Sequence, residues 1–358
     1  MVPDLLIEIA TRHAVHFEGA KTRAAREFNS FLRDMESDIL AQLARIDDPA
    51  DLSATRLRDV LNAVRTTLDS GFGDYERVWR DQLRDIGLYE SEFELKALGR
   101  ISNFDFAAPS PAQIMTAAFS NPLSVTGPDE GKLLEPFFRD WTGKSTQRIV
   151  NAIRLGAAQG QTTAEIVRRI RGTRRARFRD GIIEATRRDV TMMTRTALQH
   201  VAVQAREVTW ARNDSVVSKV EWVSVLDGRT SSICRGLDGQ QFKLDKGPRP
   251  PIHIGCRSTV VPVLRGNLAL LSEGGKQFSR GPDGVKYVKG DLDYYDWLKL
   301  QSAEFQDDVL GPNRGTLLRK GGLSATRFKE LQLDKQFKER TLEEMRALEP
   351  LAFDQAGI

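Results

Sequence analysis

Apolar residues recur every third or fourth position along the first segment, at Leu5, Ile9, His13/Ala14, Phe17, Ala20, Ala24, Phe28, Phe31, Met35, Ile39, Leu43 and Ile46. A stripe with that period lies along one face of an α-helix and on no single face of a strand, so Asp4 to Ile46 is expected to form one long amphipathic helix. Such a helix cannot bury its stripe alone, and the chain must supply partners. Gly19 weakens the middle, and Asp47-Asp48-Pro49 is expected to end it, because proline disfavours helix in the residue before it. From Ala54 a second helical run puts Leu57, Val60/Leu61, Val64 and Leu68 on one face. Gly71 and Gly73 punctuate it before the pattern resumes from Tyr75 to Ile101.

Between Phe106 and Gly131 the period lapses, and Pro109, Pro111, Pro122, Gly127 and Pro128 mark an extended arm, a linker or a strap onto a neighbouring subunit. Helices return from Lys144 to Ala158, closed by Gly160. Thr162-Thr163-Ala164-Glu165 reads as a capping box opening a helix that ends at Gly172. Another helix runs from Arg179 to Asn213. Ser215 to Leu226 and Ser258 to Leu264 are β-branched and near-alternating, a strand signal. Beyond Asn267 the apolar density falls, Gly281-Pro282-Asp283-Gly284 is a turn, and short helices are expected over Tyr294 to Val309, Leu323 to Gln332 and Thr341 to Leu348. The expected fold is mainly α, with a small β-rich Cys/His knuckle domain of α+β character and an extended arm. Its divisions are a long-helix region 1–105, the arm 106–135, a helical domain 136–214, the β knuckle 215–266 and an irregular, partly helical tail 267–358.

At 358 residues the chain exceeds what one core usually organises. Hydrophobic residues at 40% and charged residues at 28% exclude a wholly disordered or fibrous chain. The absence of a long apolar run, and Asp4 and Glu8 near the N-terminus, argue against a membrane span or a secretory signal. The net charge of +4 is a weak pointer to acidic partners.

Both cysteines of the chain, Cys234 and Cys256, fall in one segment beside His253. His253 and Cys256 form an H-x-x-C pair that can reach one ion from a tight turn, with Cys234 arriving from another turn. Two thiols and an imidazole suit zinc. A structural zinc has four ligands, and the fourth is Asp227, a water, or absent; Ser231 stands where a C-x-x-C pair would need its first thiolate. The alternative is that the cysteines are small buried apolar side chains and His253 their hydrogen-bonded neighbour.

The run Asp227-Gly228-Arg229-Thr230-Ser231, Cys234, Leu237-Asp238-Gly239 and Phe242, followed by Pro250-Pro251, His253 and Cys256-Arg257-Ser258, resembles the C-terminal domain of the phage Mu F-like minor head (head morphogenesis) family. In that family a further cysteine often follows the arginine-threonine pair, where this chain has Ser231. Ile149 to Gly172, the helix Val190 to Arg206, and Tyr294 to Gln301, Leu310 to Arg314 and Gly321 to Ser324 in the tail look like the same family, so the likeness covers about 136 to 348. It implies a non-enzymatic virion protein of a tailed bacteriophage, present in the bacterial cytoplasm during assembly and then inside the head near the portal vertex. Its implied partners are the portal protein, the major capsid protein or both, and its implied roles are head assembly and genome packaging or ejection.

Arg168, Arg169, Arg171, Arg174, Arg175, Arg177 and Arg179 crowd twelve residues around a helix break. Guanidinium forks suit phosphate, so packaged duplex DNA is a candidate partner and a DNA-binding packaging or ejection factor an alternative function. Pairing with Asp180, Glu184 and Asp189 would instead make the run an ordinary solvated face. A zinc-dependent or thiol hydrolase is the third reading. The H-x-x-C spacing suits shared ligation better than a nucleophile and base across a cleft, and Walker, H-E-x-x-H and G-x-S-x-G patterns are absent.

Overall fold

The structure is a computed structural model that describes residues 4–46, 53–101, 104–266 and 275–358. The first apolar stripe forms a single helix, α1 (Asp4–Leu43), burying Phe17, Phe28, Leu32, Met35 and Ile39. Its expected stop at Asp47-Asp48-Pro49 lies outside the described residues. The Ser53 hydroxyl accepts from the Arg56 amide to start α2 (Ala54–Gly99), which runs unbroken through Gly71 and Gly73. No punctuation occurs there. A Cβ on Gly71 would lie 2.5 Å from the Met35 sulfur of α1, so this glycine serves the close approach of two helices rather than a break.

The segment expected as an extended arm contains a helix, α3 (Pro111–Ser120). Pro111 sits in its first turn, where a missing N–H costs nothing, and Ser110 and Gln113 close a capping box, so this proline starts a helix. The extended stretch that follows lies on the chain's own body: Leu123 and Val125 are buried, and the Thr126 amide donates to the Ile252 carbonyl at 3.0 Å. Next come α4 (Leu134–Ala158) and α5 (Thr163–Arg171), the latter opened by the Thr162–Glu165 capping box. The longest of this group, α6 (Ile182–Ala211), is buried on almost every side. All of these helices share one core, which includes Phe28, Trp79, Phe138, Ile149 and Val201.

A small sheet follows, with the order β3-β1-β4. Its antiparallel strands are β1 (Val217–Val223), β3 (Gln241–Lys243) and β4 (Thr259–Leu264), with Trp222 opposite Val260. Every residue of β4 is buried, because α1 and α6 cover the sheet. This second core joins Leu6, Ile7 and Ala10 of α1 and Trp210 of α6 to Val220, Cys234 and Cys256.

The tail carries more structure than its composition suggested. Strand β2 (Leu226–Asp227) pairs in parallel with β5 (Lys276–Gly281), which turns back at the expected Gly-Pro-Asp-Gly into β6 (Gly284–Lys289). Helices α8 (Tyr294–Lys299), α9 (Ala303–Leu310), α10 (Pro312–Lys320), α11 (Ala325–Gln332), α12 (Leu342–Leu348) and α13 (Pro350–Ala356) then gather a third core. It is built on large aromatic side chains, Tyr294, Tyr295, Trp297, Phe328 and Phe353. A few large rings bury as much area as many aliphatic residues, so a modest apolar count sufficed. Asp238 ties this unit to the sheet: its carboxylate accepts from the Ser224 amide at 2.6 Å and the Tyr294 amide at 2.7 Å.

Candidate metal centre

The segment from Asp227 to Ser258 folds as two turns facing each other. Ser231 is the N-cap of a short helix, α7 (Ser232–Leu237), and its hydroxyl accepts from the Cys234 amide, which sets Cys234 on the first turn of that helix. Opposite it, the Cys256 amide donates to the His253 carbonyl at 3.1 Å, closing a tight loop. Gly255 within that loop has φ +72, a left-handed conformation that favours glycine. The Gly255 amide donates to the Thr196 hydroxyl of α6 at 2.9 Å, fixing the loop to the helical body.

Three side chains meet as a result. The Cys234 sulfur is 3.3 Å from His253 Nε2 and 3.7 Å from the Cys256 sulfur, and the ligand atoms of all three lie within 4.8 Å of one another. A disulfide would bring the sulfurs to about 2.0 Å, so these are free thiols. Two sulfurs at about 2.3 Å from a tetrahedral zinc stand roughly 3.8 Å apart, and the observed spacing fits that geometry. The Nδ1–H of His253 donates to the Ile254 carbonyl at 3.1 Å, which leaves Nε2 as the atom turned toward the sulfurs. On the remaining side the Ser231 hydroxyl lies 2.9 Å from Nε2, and the cluster opens on a cavity of about 210 Å³.

Charge is distributed unevenly between the two thiols. Hydrogen bonding to Cys256, then burial, pushes the Cys234 thiol well above its usual range. Burial alone would raise Cys256 too, but Cys234 and His253 beside it hold it well below the ordinary thiol range. Burial works against an imidazolium at His253, yet the neighbouring Cys256 raises it. Of the two sulfurs, Cys256 is the one whose ionised form the surroundings favour, and a borderline-soft divalent ion bound here would displace the protons that Cys234 and His253 hold.

Asp227 stands apart from the other candidate ligands. Both of its oxygens are taken by the Arg257 guanidinium, at 2.6 and 2.8 Å, and one also accepts from the Arg229 amide and the Thr230 hydroxyl. Burial would raise its carboxyl, but Arg257 more than offsets that and holds it low. It organises the turn and positions Arg257. Ser231 occupies the fourth corner, as its place in the sequence implied, while the part of Asp238 was visible only as the Leu-Asp-Gly run of the motif.

The arginine-rich segment forms a loop pinched at its base. A Cβ on Gly172 would lie 2.9 Å from the Gly181 nitrogen, and both oxygens of Asp180 are used by Thr173, at 2.8 Å each. Glu184 pairs with Arg187 and Asp189 with Arg148, so those acids neutralise none of the seven. Only Arg171 makes an ion pair among the described residues, with Glu36 at 3.3 Å. Arg168, Arg174, Arg175, Arg177 and Arg179 are exposed, and Arg169 is half-buried.

Fold and site together define a mostly helical protein with a small sheet and, beside it, a Cys2His cluster. The family model described as Phage Mu protein F like protein matches residues 147–261, which run from within α4 to within β4 and hold the whole cluster. Over this stretch, about a third of the chain, the sequence is similar to that family. No curated protein and no solved structure matches it. No helix among the described residues is long and apolar enough to cross a membrane.

Proposed function

We propose that the chain is a head morphogenesis protein of a tailed bacteriophage, a non-catalytic component of the virion that sits inside the head near the portal. The observation that carries this reading is the overlap between the matched family region and the small sheet with its covering helix. In this reading Cys234, His253 and Cys256 hold a structural zinc, which would tie α7 directly to the His253 loop at the edge of the second core. The portal protein and the major capsid protein are the proposed partners. Mass spectrometry of purified particles tests the assignment. The polypeptide is expected at a few copies per particle, and its absence from particles would overturn it.

A second reading is favoured by the unpaired arginines of the pinched loop: sequence-independent contact with packaged DNA. Five exposed guanidiniums on phosphates would make log K fall against log salt with a slope of about −4 to −5 on duplex DNA. Replacing Arg174, Arg175 and Arg177 by Gln is expected to lower that slope by about 3. Binding that is absent, or indifferent to salt, removes DNA contact from the function.

A further inference from the structure

Beside the Cys/His cleft lies a larger cavity, about 330 Å³, between α1, the end of β1 and β5. Four arginines from four parts of the chain line it: Arg195 of α6, Arg229 of the turn after β2, Arg257 before β4, and Arg280 of β5. Two of them are already neutralised, Arg195 by Glu18 and Arg257 by Asp227. Arg229 and Arg280 are exposed and have no ion pair or side-chain hydrogen bond among the described residues. Two positive charges therefore stand uncompensated at one concavity. The rest of its lining mixes apolar side chains, Val15, Val225 and Phe278 among them, with the hydroxyl residues Thr11, Ser224 and Thr259.

We propose that this cavity binds a phosphomonoester of nucleotide size. A carboxylate or a phosphodiester brings one negative charge, whereas a phosphomonoester brings about 1.5 to 2 near neutral pH and presents three acceptor oxygens, which matches two free guanidinium forks. The volume falls at the lower end of the roughly 300–1,000 Å³ typical of small-molecule sites, enough for a sugar and base against the apolar side chains but not for a duplex. The pinched arginine loop lies outside this cavity, so the site is independent of the duplex contact considered above.

Calorimetric titration of the full chain with deoxyadenosine monophosphate tests the proposal. Binding is expected, with deoxyadenosine at least tenfold weaker. Replacing Arg229 and Arg280 together by Ala should weaken the nucleotide at least tenfold and leave the melting temperature unchanged, because neither side chain has a partner to lose. Equal binding of deoxyadenosine, or undiminished binding by the double variant, would overturn the proposal. A single-stranded 12-mer with a 5′-phosphate and its 5′-hydroxyl counterpart separate the sources. Preference for the phosphorylated strand identifies a strand end as the ligand, and binding of the mononucleotide alone identifies a free nucleotide. If both strands bind equally and the mononucleotide does not, the contact is with backbone diesters and the proposal fails.

Discussion

Zinc added to the purified chain is expected to raise its melting temperature, and the variant carrying Cys234→Ser and Cys256→Ser should lose that rise together with stoichiometric metal. At free zinc a hundredfold above its dissociation constant, binding contributes about 2.7 kcal/mol. For a chain of this size that corresponds to about 4 °C in differential scanning calorimetry. The geometry makes a second, opposite prediction at Ser231, whose hydroxyl already lies 2.9 Å from His253 Nε2. Ser231→Cys would complete a Cys3His set and is expected to tighten zinc at least tenfold, while costing the metal-free chain about 1 kcal/mol of N-cap stabilisation at α7. Unchanged zinc affinity in both variants would remove the metal from the account. A catalytic thiol would behave differently again, since its loss would abolish turnover in a chain that melts normally.

Stability is expected to fall as pH rises from about 4.5 to about 7, and Glu94→Gln should abolish much of that fall. Glu94 of α2 is buried against α6, where it accepts from the Trp210 indole at 2.7 Å. Burial pushes its carboxyl up to about 7, with Arg206 pulling the other way. The folded chain therefore holds a proton there that the unfolded chain has already released. Below pH 4.5 both states are protonated and nothing is lost; the penalty builds through the interval and is complete above 7, at roughly 3 kcal/mol. Asp238, also pushed up to about 7 by burial, contributes in the same direction and remains in the variant. Urea unfolding at pH 5 and pH 8 checks the difference: the variant should gain up to roughly 3 kcal/mol over the native chain at pH 8 and little at pH 5. An equal effect at both values would show that Gln acts through packing instead.

Periodicity in the sequence revealed most of the helical body, because α1, α2, α5 and α6 each keep an apolar face in register over many turns. It misjudged residues whose role depends on distant neighbours. Gly71 reads as a breaker until Met35 is placed against it, and Pro111 reads as extended until Ser110 is seen to cap the turn it begins. The third core was missed because its helices are short and its mass lies in a handful of rings. Two thiols and an imidazole on two turns were legible from spacing alone. Asp227 was not, since its commitment to Arg257 depends on a residue thirty positions away. Arg229 stood out only as part of the motif and Arg280 not at all, because four elements must fold before their side chains line one cavity.

Helix α1 takes part in two of the three cores: its first turns pack on the sheet, and the rest lies in the helical body. Forty residues at about 1.5 Å each make a rod of roughly 60 Å. A rod clamped along its length transmits a push without bending where a loop would absorb it. The sheet and the bundle are thus joined by one unbroken helix, and they cannot swing apart without breaking backbone hydrogen bonds of α1.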